Sequence, residues 1–216
     1  MNKKGRYSTS GFTEDQSEPG SNGQVLKNLL GIITQAEMER IETELLFELT
    51  DQLLDECDLN KKFAAEDILQ MHYRWLGTVY AWAGHYRQVM MSKGNFPFAA
   101  PAYIPKLMTD FERDFLAKYT PCSSSFRSEV ISSLAAVHTE LIIIHPFREG
   151  NGRIARLLAT LMALQAGLPP LDFSDFAKIR QEEYFTAVRK GLDRNYEPME
   201  AVFRNVINRS LQNYEG

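Results

Sequence analysis

The chain has 216 residues, enough for one domain with a sizeable hydrophobic core. Its formal net charge of -4, with acidic and basic residues nearly balanced, argues against a nucleic-acid scaffold or a membrane-surface protein. No stretch is apolar over the length of a membrane span, the start lacks the apolar core of a signal peptide, and Cys57 and Cys122 lack metal-type spacing, so a cytoplasmic protein with two free thiols is expected.

Residues 1–23 are polar and rich in Ser and Gly without sustained periodicity, which predicts a flexible arm ahead of a packed domain over 24–216. Helical patterns follow at roughly 34–57, 64–83, 104–118, 126–144, 151–166, 174–192 and 198–213. Long alternating strand patterns are missing, so the expected fold is an all-α helical bundle. The second pattern runs into a segment dense in aromatics and glycine from Trp75 to Arg87, and His72 and His85, on these aromatic stretches, are expected to be satisfied core or surface histidines. From Ser92 to Ile104 there is too much proline and glycine for a helix, which predicts a turn or hairpin.

Val130, Ile131, Leu134, Val137, Leu141 and Ile144 then recur at helical spacing, so a core helix should run to Ile144 and stop before Pro146. His138 on that helix is expected to pack or to hydrogen-bond. His145 precedes a proline, and the residue before a proline is pushed towards extended geometry, which would present its imidazole rather than bury it. Gly150 and Gly152 allow left-handed dihedrals, so the amides around Gly150-Asn151-Gly152 can curve about an anion. The helix that follows ends at Gly167 and Pro169-Pro170, and its N-terminus favours phosphate. Arg153 and Arg156, three apart, share a face of it and offer guanidinium forks to phosphate oxygens. A carboxylate beside such a cradle is repulsive unless a hard cation bridges the two, so Glu149 reads as a magnesium ligand. Histidine titrates near neutrality and can take a hydroxyl proton as that oxygen attacks phosphorus. The residues alone do not decide between attack on the alpha and the gamma phosphate.

The run His145-Pro146-Phe147-Arg148-Glu149-Gly150-Asn151-Gly152-Arg153-Ile154-Ala155-Arg156 resembles the motif of the Fic family, His-x-Phe-x-(Asp/Glu)-Gly-Asn-Gly-Arg-x-x-Arg, at every specified position. The resemblance implies a Fic fold, helical with a short β-hairpin flap over the active site, that transfers AMP from ATP to a protein hydroxyl. By position it implies His145 as general base, Phe147 as the loop's core anchor, Glu149 as the Mg2+ ligand, Gly150, Asn151 and Gly152 as anion hole, and Arg153 and Arg156 as phosphate-binding arginines. The phosphorylating Doc branch departs at the second glycine, which this chain keeps. Ser92 to Ile104 is similar to the flap, which binds a target protein by strand addition; Lys93 and Gly94 belong to it, Lys93 as a candidate contact to nucleotide or target, and Phe98 is the expected clamp. Tyr184 resembles a wall of the adenine pocket, beside the plainer reading of a core aromatic.

Many Fic proteins are held off by a helix bearing Ser/Thr-x-x-x-Glu-Gly/Asn, whose glutamate pairs with the second motif arginine. Here Ser10 to Glu14 has the spacing but Asp15 follows, and Glu215-Gly216 has Leu211 where Ser or Thr is expected. A separate antitoxin-like inhibitor, or no such inhibition, is therefore expected. Transfer of another nucleotide, of phosphate or of phosphocholine stays open, as does a nucleotide-binding module without catalysis.

Overall fold

The structure, a computed structural model, describes residues 12–178 and 180–215. Its centre is helix α5 (Arg127–Ile144), apolar on nearly every side, as a helix must be when neighbours surround it. Leu134, Ala135, Val137 and Leu141 on α5 are almost completely buried. Helices α6 (Asn151–Gln165) and α9 (Glu197–Glu215) pack on it, α8 (Gln181–Lys190) lies on α9, and α1 (Gln35–Asp55) with α2 (Ala65–Leu76) reaches α6 from another side. The third predicted helix comprises α3 (Ile104–Phe111), a π-helical stretch Glu112–Leu116 and α4 (Ala117–Tyr119). Two short strands, β1 (Ser92–Lys93) and β2 (Phe96–Pro97), pair antiparallel as Ser92 with Pro97 and Lys93 with Phe96. Gly94 makes the turn at φ 58°. The all-α class with a small hairpin is thus the observed architecture. No helix of the described residues is long and apolar enough to cross a membrane.

Three boundaries differ from the expectation. The helix expected over 64–83 stops at Leu76, and Val79, Tyr80, Trp82 and Ala83 are buried from successive tight turns, Val79 N to Leu76 O at 2.9 Å and Ala83 N to Tyr80 O at 3.1 Å among them. Turns closed by i to i+3 bonds repeat about every three residues, so their apolar spacing imitates a helix. The helix expected over 174–192 divides into α7 (Ser174–Lys178), α8 and a 3-10 turn at Gly191–Asp193, because Arg180 N closes α7 on Asp175 O at 3.1 Å.

The predicted flexible arm is the third. Residues 12–23 lie against the domain: Ser17 bridges Leu26, Glu14 is buried, and its Oε1 accepts from Gln88 N at 2.5 Å while its carbonyl accepts from Arg148 Nε at 2.9 Å. Composition cannot register such contacts, because they are made by polar atoms to partners distant in sequence. Residues 1–11, including Ser10, lie outside the described residues.

Candidate active site

Helix α5 ends at Ile144, and His145 turns out of it in the left-handed region, φ 53° and ψ 60°. The extended geometry expected before a proline is not adopted. The reason lies in its hydrogen bonds, one from the helix and one tertiary: His145 N still donates to Leu141 O at 3.0 Å, and its carbonyl accepts from Arg87 Nε at 2.7 Å, so bonds on both sides of the residue hold the left-handed turn. The imidazole is half-buried rather than presented, with the Phe98 ring stacked on it at 3.6 Å between centroids and 11° between planes. Its Nδ1 lies 3.2 Å from Ile142 O. A carbonyl can only accept, so the neutral ring carries its proton on Nδ1 and keeps a lone pair on Nε2. Burial, with the nearby charges of Arg87 and Lys93, lowers the pKa of His145 to about 4 against the opposing pull of the Ile142 carbonyl, which leaves it a free base at neutral pH.

The loop after it is fixed from several directions. Phe147 is fully buried and stacks on His72 at 3.8 Å with the rings 3° apart. His72 Nδ1 accepts from Gly84 N at 2.9 Å, so its proton sits on Nε2, which lies 3.1 Å from Glu149 O and donates to it. Burial lowers the His72 pKa to about 4, so it stays neutral in that role. Asn151 is buried, and its side chain staples the loop, Oδ1 accepting from Phe147 N at 2.8 Å and Nδ2 donating to Phe147 O at 2.7 Å. Its expected place in the anion hole therefore falls to its backbone N–H alone.

The two glycines of the cradle differ. Gly150 has φ 85°, and a Cβ there would come within 2.5 Å of the Trp75 ring. Gly152 has open space where a Cβ would be. Gly150 N is turned to Glu149 Oε1 at 2.7 Å, whereas the N–H groups of Asn151 and Gly152, at the N-terminus of α6, meet no acceptor among the described residues. A cradle for an anion is therefore formed by those two amides, with Gly152 leaving room for it.

The two arginines also part company. Arg153 pairs with Glu42 of α1 at 2.7 Å and with Glu149 at 3.2 Å, and lies 4.4 Å over the Trp75 ring. Glu42 is buried and accepts from Tyr80 Oη at 2.8 Å, while its carbonyl takes Trp75 Nε1 at 2.8 Å. Arg156 makes no ion pair among the described residues and stands beside Tyr184, its pKa lowered by burial first. Tyr184 is itself buried and donates to His138 Nε2 at 2.7 Å, because His138 Nδ1 gives its proton to Ala155 O at 3.1 Å. Tyr184 is thus a core aromatic with its hydroxyl satisfied inside the protein, and it also lines the cavity of the site. Lys93 reaches back from β1 to lie 3.6 Å over the Phe185 ring.

A cavity of about 640 Å3 brings these groups together: Lys93, Gly94 and Phe98 from the flap side, His145, Glu149, Gly150, Asn151, Gly152, Arg153 and Arg156 from the motif, and Tyr184 from α8 all line it. Glu42, Trp75 and Arg87 support the site and were not singled out from the sequence, and His72, expected as a satisfied core or surface histidine, supports it from the core. The aromatic segment from Trp75 to Arg87 held two of them, but only as a segment. No group of three or more His, Cys, Asp and Glu gathers among the described residues. Glu149 Oε2, however, takes no bond there, and one carboxylate oxygen beside a phosphate cradle suits an ion such as Mg2+ that draws its other ligands from phosphates and water.

This constellation, a half-buried neutral imidazole sharing a cavity with two open helix N-terminal amides and a hairpin, agrees with the comparison to known families: residues 62–163 match the Fic/DOC family. The chain carries a Fic/DOC domain. Among curated relatives, "Protein adenylyltransferase fic-1" of Caenorhabditis briggsae is 33% identical over 53% of this chain and 23% of its own length. "Probable protein adenylyltransferase y4lH" of Sinorhizobium fredii is 29% identical over 88% of this chain and 93% of its own. The chain spans 23–36% of the length of the first curated relatives it matches. Among solved structures, the BepC protein of Bartonella tribocorum with bound AMPPNP superposes with a TM-score of 0.66 at 22% identity, over 84% of this chain and 91% of that one, which places the Fic fold over the described helices and flap.

Proposed function

We propose that the chain transfers AMP from ATP to the hydroxyl of a target protein. The target oxygen attacks the alpha phosphorus, the bond to the bridging oxygen breaks, pyrophosphate leaves, and the hydroxyl proton passes to His145 Nε2. The observation that carries this reading is the neutral His145, with a free Nε2, sharing one cavity with the open amides of Asn151 and Gly152. The amides and Arg156 would hold phosphate oxygens and neutralise the charge that develops on them. Mg2+ held by Glu149 would supply further neutralisation of the phosphates. The names of the relatives favour adenylyl transfer over phosphorylation, as does the presence of Gly152, and AMPPNP in the BepC structure favours ATP as donor.

We read the hairpin as the target dock. Ser92 and Lys93 are exposed along β1, so an extended target segment could add its backbone there and bring its hydroxyl beneath Phe98 to His145. The domain is taken to run from residue 24 to 216 with residues 12–23 strapped to it. A separate antitoxin-like protein is proposed as inhibitor. Its support is that Arg156 meets no carboxylate among the described residues, that Glu14 faces Gln88 and Arg148 instead, and that Glu42 is spent on Arg153. A toxin-like protein acting in the cytoplasm is the setting most in keeping with the sequence.

The test is incubation with Mg2+, lysate protein and ATP labelled on either the alpha or the gamma phosphate, beside His145→Ala. Alpha label on protein, reduced about 100-fold or more in the variant, is expected. Gamma label would mean a kinase, and alpha label undiminished in the variant would remove His145 as the base.

A further inference from the structure

Arg87 is one of the largest completely buried side chains, and it makes no ion pair among the described residues. Burying a guanidinium is costly unless its donors are met, and here carbonyls of three separate segments meet them. Nε donates to His145 O at 2.7 Å, Nη1 to Val89 O at 2.6 Å, and Nη2 to Ala99 O at 2.6 Å. Val89 lies just ahead of β1 and Ala99 just after β2, so two arms of the fork hold the two stems of the flap. The third holds the carbonyl of the left-handed residue that carries the base. The backbone N–H of Arg87 takes the next carbonyl, Pro146 O, at 2.8 Å, which fixes both peptide planes flanking Pro146. Glu14, which accepts from the adjacent Gln88 N, balances the charge from the strap.

We propose that Arg87 is a positioning residue that sets the flap in register with His145. This rests on the reading of the flap as target dock and of His145 as base. A target strand held by the flap is then placed relative to the imidazole through a single planar group, whose five donors point in fixed directions. Lysine keeps the charge but offers donors from one point, so it cannot span the three carbonyls in the same plane.

Arg87→Lys and wild type are compared by three measurements on the whole chain: transfer of alpha label from ATP to lysate protein, AMPPNP affinity by calorimetry, and amide hydrogen exchange over residues 90–100. The expected result is exchange in the flap faster by about 10-fold or more with α9 unchanged. Transfer should fall by about 10-fold or more, since small misplacements of reacting groups are costly in rate. AMPPNP affinity should stay within about two-fold, because the amides and Arg156 do not touch Arg87. Unchanged flap exchange overturns the proposal, and so does AMPPNP affinity lost in proportion to transfer, which would mark a general structural role. Should Arg87→Lys fail to fold, Glu14→Gln keeps the acceptor but removes the balancing charge, and must loosen the flap in the same direction by a smaller factor; unchanged exchange there overturns the proposal equally. If wild type transfers no label, the functional reading fails, while the exchange arm still decides whether Arg87 holds the flap.

Discussion

Between His145 and Asn151 nearly every group has a fixed partner: a carbonyl held by Arg87, another by His72, a ring sandwiched against His72, a glycine pressed to Trp75, a peptide stapled by Asn151. Across the same cavity, between Ser92 and Pro97, two strands of two residues each are largely exposed, and Gly94 at the tip has nothing near it. On the proposed function, the difference follows from what each would have to meet. Phosphate is the same in every turnover, and a preorganised cradle loses no free energy in reorganising around it. A target's backbone has to be accommodated, and an exposed edge with few internal bonds can give way to it.

Acid should break this contrast most strongly, because three histidines in and behind the site are held neutral. Burial lowers His72, His138 and His145 to about 4 each. Since the unfolded chain takes up these protons near the ordinary value and the folded chain does not, stability is retained above about 6.5 and falls as the pH drops towards 4. The slope is up to about 1.4 kcal/mol per pH unit for each histidine. Urea midpoints at pH 7.5, 6 and 5 check this: a constant midpoint would mean that these rings are not buried neutral. The carboxylates with depressed pKa, such as Asp110 and Asp114, lose their contribution only at more acid pH, so they do not imitate the effect. In the same way, the acid limb of kcat/KM should lie well below 6.5.

Gly150→Ala comes next, with a forbidding φ and a Cβ inside contact distance of Trp75. It should cost about 2–4 kcal/mol of stability, read by chemical denaturation. Gly152→Ala is its sharpening partner: it should change stability by less than about 1 kcal/mol while weakening AMPPNP binding, because the added methyl fills the open side of the cradle. Asn151→Ala should cost about 2–3 kcal/mol, leaving the Phe147 N–H and carbonyl buried without partners. Lys93→Ala, on the flap, should cost no more than about 1 kcal/mol, the worth of its contact with Phe185, and any larger effect should appear in target modification rather than in denaturation.

The cradle was readable in the sequence because its chemistry is compressed into twelve neighbouring residues, and helices α5 and α6 because their apolar spacing and terminating Pro and Gly are local signals. The supports were not. His72 in the sequence is one histidine among aromatics, and nothing marks it as the donor to the Glu149 carbonyl. Glu42 sits in a helix with many acidic residues, and only packing tells which one is buried against Arg153. The same limit explains the two arginines, equivalent by spacing but separated by a carboxylate on another helix. The left-handed His145 was misread because a rule about the residue before proline describes an isolated dipeptide, and tertiary hydrogen bonds outweigh it here.

The ring of Phe98 over the imidazole bears on economy of nucleotide. A base that is free at neutral pH and stands next to a bound triphosphate would as readily activate water as a protein hydroxyl. Phe98 covers one face of the His145 ring at 3.6 Å, whereas the lone pair of Nε2 lies in the ring plane, so the stacked ring fixes the imidazole without closing the edge at which it accepts a proton. On the proposed function, that edge is where water and a target hydroxyl would compete for the base, and a target strand docked on the flap would exclude water simply by occupying it.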